Sequence, residues 1–191
     1  SQAYADAVVT YLAFAVDKMT DTNSVLCSWQ NMPPRLRATF GRQALPMIWD
    51  FAEAGIFADA AGDFQRAYGS LCEVLDRLHP GHIGTASQLD AMSNGESDAI
   101  ISTDPPYYDN IGYADLSDYF YVWLRRTLHQ VYPCLLSTML TPKTQELIAS
   151  PYRHGGSKSK AAEFFEERLG GVMRHWRERA QIGRASCRER V

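Results

Sequence analysis

The sequence predicts a mixed α/β fold, because two short strand-like segments lie between amphipathic helices. The strands are expected at residues 82–87 and 98–102, with one helix before the pair and another after it. This order of elements is typical of part of a domain with parallel strands. The 191 residues are 46% hydrophobic and 21% charged, a composition that argues against a disordered or fibrous protein.

Four helices are predicted along the chain. Residues 4–18 contain strong helix formers without glycine or proline. Asp63 is a suitable N-cap for a helix that runs to about Leu78, since apolar residues recur there at a spacing of three and four. Further helices are expected at residues 113–128 and 161–180, shorter helical segments at 43–54 and 144–148, and irregular chain at 25–37.

Charge and cysteine content limit the possible functions. The net charge of −3 excludes nucleic-acid binding by bulk charge and leaves a local basic groove as the route to DNA. No segment is apolar for the length of a membrane helix, and the first residues lack the pattern of a signal peptide. Cys27, Cys72 and Cys134 are too widely spaced to suggest a zinc knuckle or a disulfide framework, so a reducing cytoplasmic location is expected.

The last ten residues, 182–191, resemble a translated sequencing adapter. They form a basic, patternless tail of three arginines and one glutamate, so the remaining chain carries a net charge of −5. Such segments are left out of fold reasoning. We therefore expect residues 1–181 to be a fragment of a larger domain, with a mostly helical lead-in at 1–80 and the chemically informative part at 81–181.

The chemically specific motif is Asp104-Pro105-Pro106-Tyr107, at the end of the second predicted strand. In open α/β sheets, ligands bind beyond the carboxyl ends of the strands. Two consecutive prolines continue neither a ladder nor a helix, so they fix an extended exit from the sheet. This geometry places a carboxylate, backbone carbonyls and an aromatic ring around one small planar group. The alternative is a strand-ending turn capped by Asp104.

This motif resembles motif IV of the amino-methyltransferases, which methylate the exocyclic amine of adenine or cytosine. The wider sequence resembles the DUF1156-type adenine-specific DNA methylases of bacteria and archaea. That resemblance rests on residues 39–44, 49–53, 103–118, 123–126 and 151–156, and thus covers nearly all of the chain before the tail.

The resemblance implies a partial Rossmann-like class I methyltransferase fold, with an incomplete sheet and flanking helices. It implies methylation of adenine N6 in DNA with S-adenosylmethionine as cofactor, in a restriction-modification or anti-phage defence system. The implied catalytic residues are Asp104, Pro105, Pro106 and Tyr107. Ser87 and Asp104 are the expected cofactor contacts, although Ser87 also fits an ordinary strand end. Cytosine N4 and RNA stay open as alternative substrates.

Several flanking residues are candidates for nucleic-acid binding. Tyr108 is either a second base contact or a packing residue. Arg153, Lys158 and Lys160 belong to a basic, glycine-rich segment that suits DNA phosphates or is simply a surface loop. Outside this set, Asp109 and Asn110 favour an N-cap of the next helix over a catalytic role, and Arg125 and Arg126 favour a solvated helix face. His79 and His82 flank a Pro-Gly turn, so no metal is expected there.

One element of the implied family is missing from the sequence. The family binds the methionine end of the cofactor with a glycine-rich loop, Phe-x-Gly-x-Gly or Phe-x-Gly-Gly. Phe40-Gly41-Arg42-Gln43 lacks the second glycine. We therefore expect the chain by itself to bind S-adenosylmethionine weakly or not at all, and to lack activity. A non-catalytic nucleic-acid-binding module is the remaining alternative.

Overall fold

The computed structural model describes residues 1–41, 44–78, 81, 84–93 and 100–180. Within these residues the fold is mixed, with helices and a small two-stranded antiparallel sheet. Its elements, in chain order, are α1 (Gln2–Thr20), β1 (Ser28–Asn31), β2 (Pro34–Arg37), α2 (Phe64–Arg77), α3 (Tyr113–Leu128), a short 3₁₀ helix (Pro151–His154) and α4 (Lys158–Arg179).

The chain divides into two compact units. Each unit is built from two separate stretches of the chain, and the stretches of the two units alternate along the sequence. The first unit comprises Ser1–Thr85 and Tyr113–Pro142, which include α1, the hairpin, α2 and α3. The second comprises Ala86–Gly112 and the chain from Lys143 onward, which include the Asp104–Tyr107 motif, the 3₁₀ helix and α4. The motif and α3 are therefore adjacent in sequence but belong to different units.

The four long helices lie where the sequence predicts them, to within three residues at each end. Helix α2 shows the physical reason most directly. Asp63 is buried, and its carboxylate accepts a hydrogen bond of 2.7 Å from the backbone N–H of Arg66. This bond satisfies one of the amide donors that the first turn of any helix leaves without an intrahelical partner.

Helices α1 and α3 pack together in the first unit. Their contact buries Ala13 of α1 and Leu128 of α3 with Leu136, and Tyr121 and Leu124 pack against this cluster. At the other end of the contact, the Tyr119 hydroxyl donates a hydrogen bond of 2.7 Å to the carbonyl of Thr20. Small residues on α1 thus allow a close approach, and a hydrogen bond fixes the alignment of the two helices.

A polar cluster joins the end of α1 to the hairpin. The carbonyl of Asp21 accepts hydrogen bonds from the backbone N–H and the hydroxyl of Thr39, at 2.7 and 2.8 Å. The Asp21 carboxylate accepts a third from the N–H of Phe40, and the Cys27 thiol also points to the Asp21 carbonyl. Thr39 and Cys27 are completely buried, so these bonds are shielded from water.

The hairpin itself is a correction to the sequence analysis, which predicts irregular chain at residues 25–37. Strands β1 and β2 pair antiparallel, with Ser28 opposite Arg37 and Asn31 opposite Pro34. The two residues between them are Met32 and Pro33. Proline is tolerated because Pro34 is the first residue of its strand, where it costs little ladder pairing.

The two strands that the sequence predicts are not formed in their described parts. Residues 84–87 and 100–102 have no strand structure, and residues 82, 83, 98 and 99 lie outside the described part of the chain. Ile100, expected in a buried strand, is 90% exposed. A short apolar run becomes a buried strand only when a partner strand and a covering layer are present, and the described residues supply neither.

Two shorter helix predictions are also wrong. Residues 44–54 form no helix, and Trp49 is almost fully exposed, since no neighbouring element gives this apolar segment a face to cover. Phe51 and Trp123, which the sequence suggests as core residues, are also partly exposed. Residues 144–148 contain only a turn, and the helical turn forms later, from Pro151, because proline is favoured at the start of a helix.

Within the described residues, no helix has the length and apolar character needed to cross a membrane. The same residues contain no group of three or more histidine, cysteine, aspartate or glutamate side chains that would hold a metal ion. His79 and His82 lie outside the described residues, as does the basic tail at 182–191.

Asp17 provides a test of the α1–α3 contact. It lies one turn from Ala13 and Thr20 on the helix face that meets α3. Burial raises its pKa from 3.8 to about 6, and its Oδ1 atom is shielded with no hydrogen-bond partner among the described residues. The folded protein therefore holds this proton more tightly than the unfolded chain, and stability from this group falls as the pH rises from about 4 through about 6.

We predict that Asp17→Asn stabilises the protein above pH 6, by up to about 1 kcal/mol after allowance for its partial exposure. The difference from the unchanged protein should become small near pH 3, where the aspartate is mostly protonated in both states. Urea unfolding followed by circular dichroism at about pH 3, 6 and 8 measures it. Glu73→Gln, at an exposed position of α2, is the control. A gain in stability that is the same at all three pH values would contradict this explanation.

Candidate functional site

The Asp104–Tyr107 motif is a segment of irregular, mostly exposed chain in the second unit, directly before a turn at residues 108–109. Its first and last side chains meet, because the Tyr107 hydroxyl donates to the Asp104 carboxylate at 3.2 Å from Oδ1 and 3.4 Å from Oδ2. Asp104 and Pro105 are exposed, Pro106 is half-buried, and Tyr107 is 51% exposed. The motif thus presents a carboxylate and an aromatic ring side by side to solvent, and its role as a receptor for a planar group stays a prediction.

Tyr108 has a left-handed backbone, with a φ of 47°. A bulky residue in this region costs about 1–2 kcal/mol, so other contacts must maintain it. The Tyr108 carbonyl accepts a hydrogen bond of 2.9 Å from the N–H of Ala149, and its ring meets the Phe165 ring edge to face at 5.0 Å. Tyr108 therefore has a packing role, while 43% of its surface stays exposed.

Asp109 and Asn110 do not cap the following helix. They belong to a turn closed by a hydrogen bond of 3.0 Å from the Asn110 N–H to the Tyr107 carbonyl. Helix α3 begins three residues later, at Tyr113. The expectation of an N-cap is wrong because the left-handed Tyr108 folds the chain into its own turn before the helix starts.

The segment that contacts Tyr108 is held by an ion pair. Residues 148–150 are buried, and on either side of them Glu146 and Arg153 approach to 2.6 Å, with side chains only 13% and 14% exposed. The Arg153 guanidinium also donates to the carbonyl of Lys143, at 2.9 Å. The sequence analysis expects Arg153 to bind DNA phosphate. In the structure, its guanidinium instead contacts the Glu146 carboxylate and the Lys143 carbonyl.

The two lysines of the basic segment have a different environment. Lys158 and Lys160 are exposed on the first turn of α4. The preceding Gly155 and Gly156 have φ values of 64° and 84°, which glycine adopts without strain. Ser157 then caps the helix by accepting a hydrogen bond of 3.3 Å from the Lys160 N–H. These lysines stay available to a phosphate backbone.

Helix α4 organises the second unit. Its Phe165 meets Tyr108, and its Arg168 forms an ion pair of 3.2 Å with Asp90. Gly171 allows a close approach of Met92, since a β-carbon there would lie 3.0 Å from the Met92 methyl group. One helix therefore fixes the segment at 90–92 and the turn after the motif.

Sequence reasoning missed Glu146, Phe165 and Tyr152 as site-related residues. Apolar spacing could have placed Phe165 on the inner face of α4. Glu146 and Tyr152 carry no comparable signal, because their roles depend on contacts that the turn of the 3₁₀ helix creates.

The residues expected to bind S-adenosylmethionine do not make up a complete site. Ser87 is exposed on irregular chain rather than at the end of a strand, and Asp104 lies on the exposed motif segment. The described residues contain no glycine-rich loop between a strand and a helix, the element that cradles such a cofactor. Comparison of the chain with protein-family models, curated proteins and solved structures gave no match.

The Glu146–Arg153 ion pair, which is mostly shielded from solvent, leads to a prediction about stability. Arg153→Met leaves the Glu146 carboxylate shielded without its cation, which should cost about 3–5 kcal/mol. The double variant Glu146→Leu with Arg153→Met should lose less than the single variant, because no buried charge is left. Urea unfolding monitored by circular dichroism measures both variants.

The matched control for this prediction is the exposed pair of Arg66 and Asp59, at 3.8 Å in the first unit. Arg66→Met should cost at most about 1 kcal/mol, as is usual for surface pairs. Equal losses in Arg66→Met and Arg153→Met would show that burial of the Glu146–Arg153 pair has no energetic consequence.

Proposed function

We propose that this chain is the target-base-binding part of an S-adenosylmethionine-dependent DNA methyltransferase that acts on N6 of adenine. The observation that carries the proposal is the contact between the Tyr107 hydroxyl and the Asp104 carboxylate on an exposed segment before a turn. It supports the role of this segment as a receptor for a flat group with N–H donors. The proposal includes the Rossmann-like fold implied by the resemblance, to which the described helices would contribute the flanking layer.

The chemistry assigned to the motif follows from the nature of an exocyclic amine. Its lone pair is delocalised into the aromatic ring, which makes it a poor nucleophile. Hydrogen bonds from its N–H groups to the Asp104 carboxylate and the Pro105 carbonyl would favour a pyramidal, more nucleophilic nitrogen. A carboxylate has about four acceptor positions, so Asp104 is able to accept from the amine and from Tyr107 together.

Tyr107 is assigned to stacking on the base. The amine of a paired adenine is not accessible inside a duplex, so the base must leave the helix. The Tyr107 ring is half exposed, and its hydroxyl is tied to Asp104. This tie would keep the ring face and the carboxylate in one arrangement, which is the positioning that a bimolecular transfer requires.

Backbone contacts of the DNA are assigned to Lys158 and Lys160. Both are exposed, whereas Arg153 is directed inward. With a net charge of −3, the chain needs such local cations to approach a phosphate backbone. The exposed part of the Tyr108 side chain is assigned to a second contact with the base. The Tyr108 carbonyl, bonded to the N–H of Ala149, holds this part of the chain in place.

S-adenosylmethionine supplies the methyl group in the enzymes that the chain resembles. Because the described residues form no complete site for it, we propose that catalysis requires a glycine-rich loop that this sequence does not contain. The same observation favours a second candidate function, a non-catalytic module that binds nucleic acid. If the chain joined to such a loop methylates DNA, the first function is supported. If it binds nucleic acid without methylating it, the second is supported.

The target base is tested with DNA hairpins that carry one unpaired base, measured by fluorescence anisotropy. We predict that N6,N6-dimethyladenine, which has no N–H donor, binds about tenfold more weakly than adenine, the usual consequence of one lost hydrogen bond to a charged group. Asp104→Ala should remove this discrimination, and Asp109→Ala should keep it. Equal binding of both adenines by the unchanged protein would overturn the proposal, and stronger binding of cytosine would transfer it to cytosine N4.

A separate prediction concerns the cofactor. Calorimetric titration of the 191-residue chain with S-adenosylmethionine should show no binding at micromolar concentrations, because the chain lacks the glycine-rich loop. S-adenosylhomocysteine should behave in the same way. Micromolar binding of either compound would mean that the residues present form a cofactor site after all.

A further inference from the structure

Tyr152 is an exposed aromatic side chain beside the candidate site that has no part in the proposed chemistry. It lies in the 3₁₀ helix and is 66% exposed. Ala149, three residues earlier, donates its N–H to the Tyr108 carbonyl. Three residues of chain span at most about 11 Å, so this bond keeps the backbone of Tyr152 close to the turn that contains Tyr107 and Tyr108.

The orientation of Tyr152 is set by its neighbour. The Arg153 Nε donates a hydrogen bond of 3.0 Å to the Tyr152 hydroxyl, and the guanidinium carbon lies 5.5 Å from the centre of the Tyr152 ring. Arg153 is itself fixed by Glu146. A solvent-exposed tyrosine is usually free to change rotamer, but here a mostly shielded ion pair holds the group that contacts it.

Exposed aromatic rings near exposed cations are the features by which proteins bind single-stranded nucleic acid. Bases stack on the rings, and the cations follow the phosphates. The second unit brings Tyr107, Tyr108 and Tyr152 onto two segments joined by a backbone hydrogen bond, and exposed Lys158 and Lys160 follow within eight residues of Tyr152.

We propose that Tyr152 stacks on an unpaired nucleotide next to the target base, so that the second unit binds a short single-stranded segment of DNA. This inference rests on the proposed function for the identity of its ligand as a nucleic acid. It adds a residue that contacts the flanking strand rather than the base that reacts. Positioned by Arg153, the Tyr152 ring would need little further ordering when the nucleotide binds.

The test is fluorescence anisotropy of the 191-residue chain with a labelled single-stranded 12-nucleotide DNA. Tyr152→Leu keeps the bulk of the side chain but removes the aromatic face, and it should weaken binding about tenfold, as for the loss of one stacked base. Tyr152→Phe should bind within about twofold of the unchanged protein. Tyr4→Leu, at an exposed position of α1 in the first unit, should have no effect.

Salt dependence separates stacking from charge. Tyr152→Leu should leave the slope of log Kd against log salt unchanged, because it removes no phosphate contact. Replacing both Lys158 and Lys160 by alanine should reduce that slope by about 1.4, or about 0.7 for each phosphate contact on a single strand. Circular dichroism of each variant confirms that it is folded.

Several outcomes would overturn the inference. It fails if Tyr152→Leu binds the DNA as tightly as the unchanged protein does, or if Tyr152→Phe loses as much affinity as Tyr152→Leu. Tighter binding of an RNA of the same sequence, with the same dependence on Tyr152, would exclude DNA as the ligand. A loss of affinity in Tyr152→Leu together with equal binding of adenine and dimethyladenine hairpins would support this surface and overturn the proposed function alone.

Discussion

The second unit depends on the hydrogen bond between the N–H of Ala149 and the carbonyl of Tyr108, at 2.9 Å. It joins two residues that are 41 positions apart in the sequence, and it anchors a residue whose left-handed backbone is unfavourable on its own. Because the Ala149 side is buried and closed by the ion pair of Glu146 and Arg153, the bond is protected from competition with water. The placement of Tyr108, the residue directly after the Asp104–Tyr107 motif, rests on this bond together with the ring contact to Phe165.

In the first unit, too, hydrogen bonds between residues distant in sequence hold the loops in place. Its most deeply buried side chains include Thr39, Asp63 and Cys27, which are small or polar rather than large and apolar. Such residues contribute little burial of apolar area, so the junction of α1 with the hairpin relies on shielded hydrogen bonds to Asp21. In both units, a few non-local polar contacts determine where the loops lie, and the helices provide the frame.

The four long helices were predictable from the sequence, whereas the two-stranded sheet was not. Helix α2 follows from a capping aspartate and apolar residues at helical spacing, which are local signals. A strand needs a partner distant in sequence, and residues 100–102 illustrate how an apolar run without one stays exposed. The Asp104–Tyr107 motif stands out from residue types alone, and its role stays a prediction. The contacts of Phe165 and Glu146 that support Tyr108 and its partner segment could not be predicted, because they arise only after α4 and the 3₁₀ helix have formed.

The basic residues near the candidate site have two kinds of environment: Arg153 is held by internal partners, and Lys158 and Lys160 are exposed. A guanidinium held by a carboxylate at 2.6 Å and by a carbonyl has little capacity left for a phosphate, so Arg153 acts by orienting what surrounds it. An exposed lysine ammonium keeps its three donors and its mobility, which suits a phosphate backbone whose exact position varies. Internal contacts thus hold the Asp104 carboxylate and the rings of Tyr107 and Tyr108, which the proposed function assigns to the base, whereas the lysines assigned to the strand are exposed. Under the proposed function, this division would suit chemistry on a single extruded nucleotide, which needs a precisely held base and tolerates a loosely held strand.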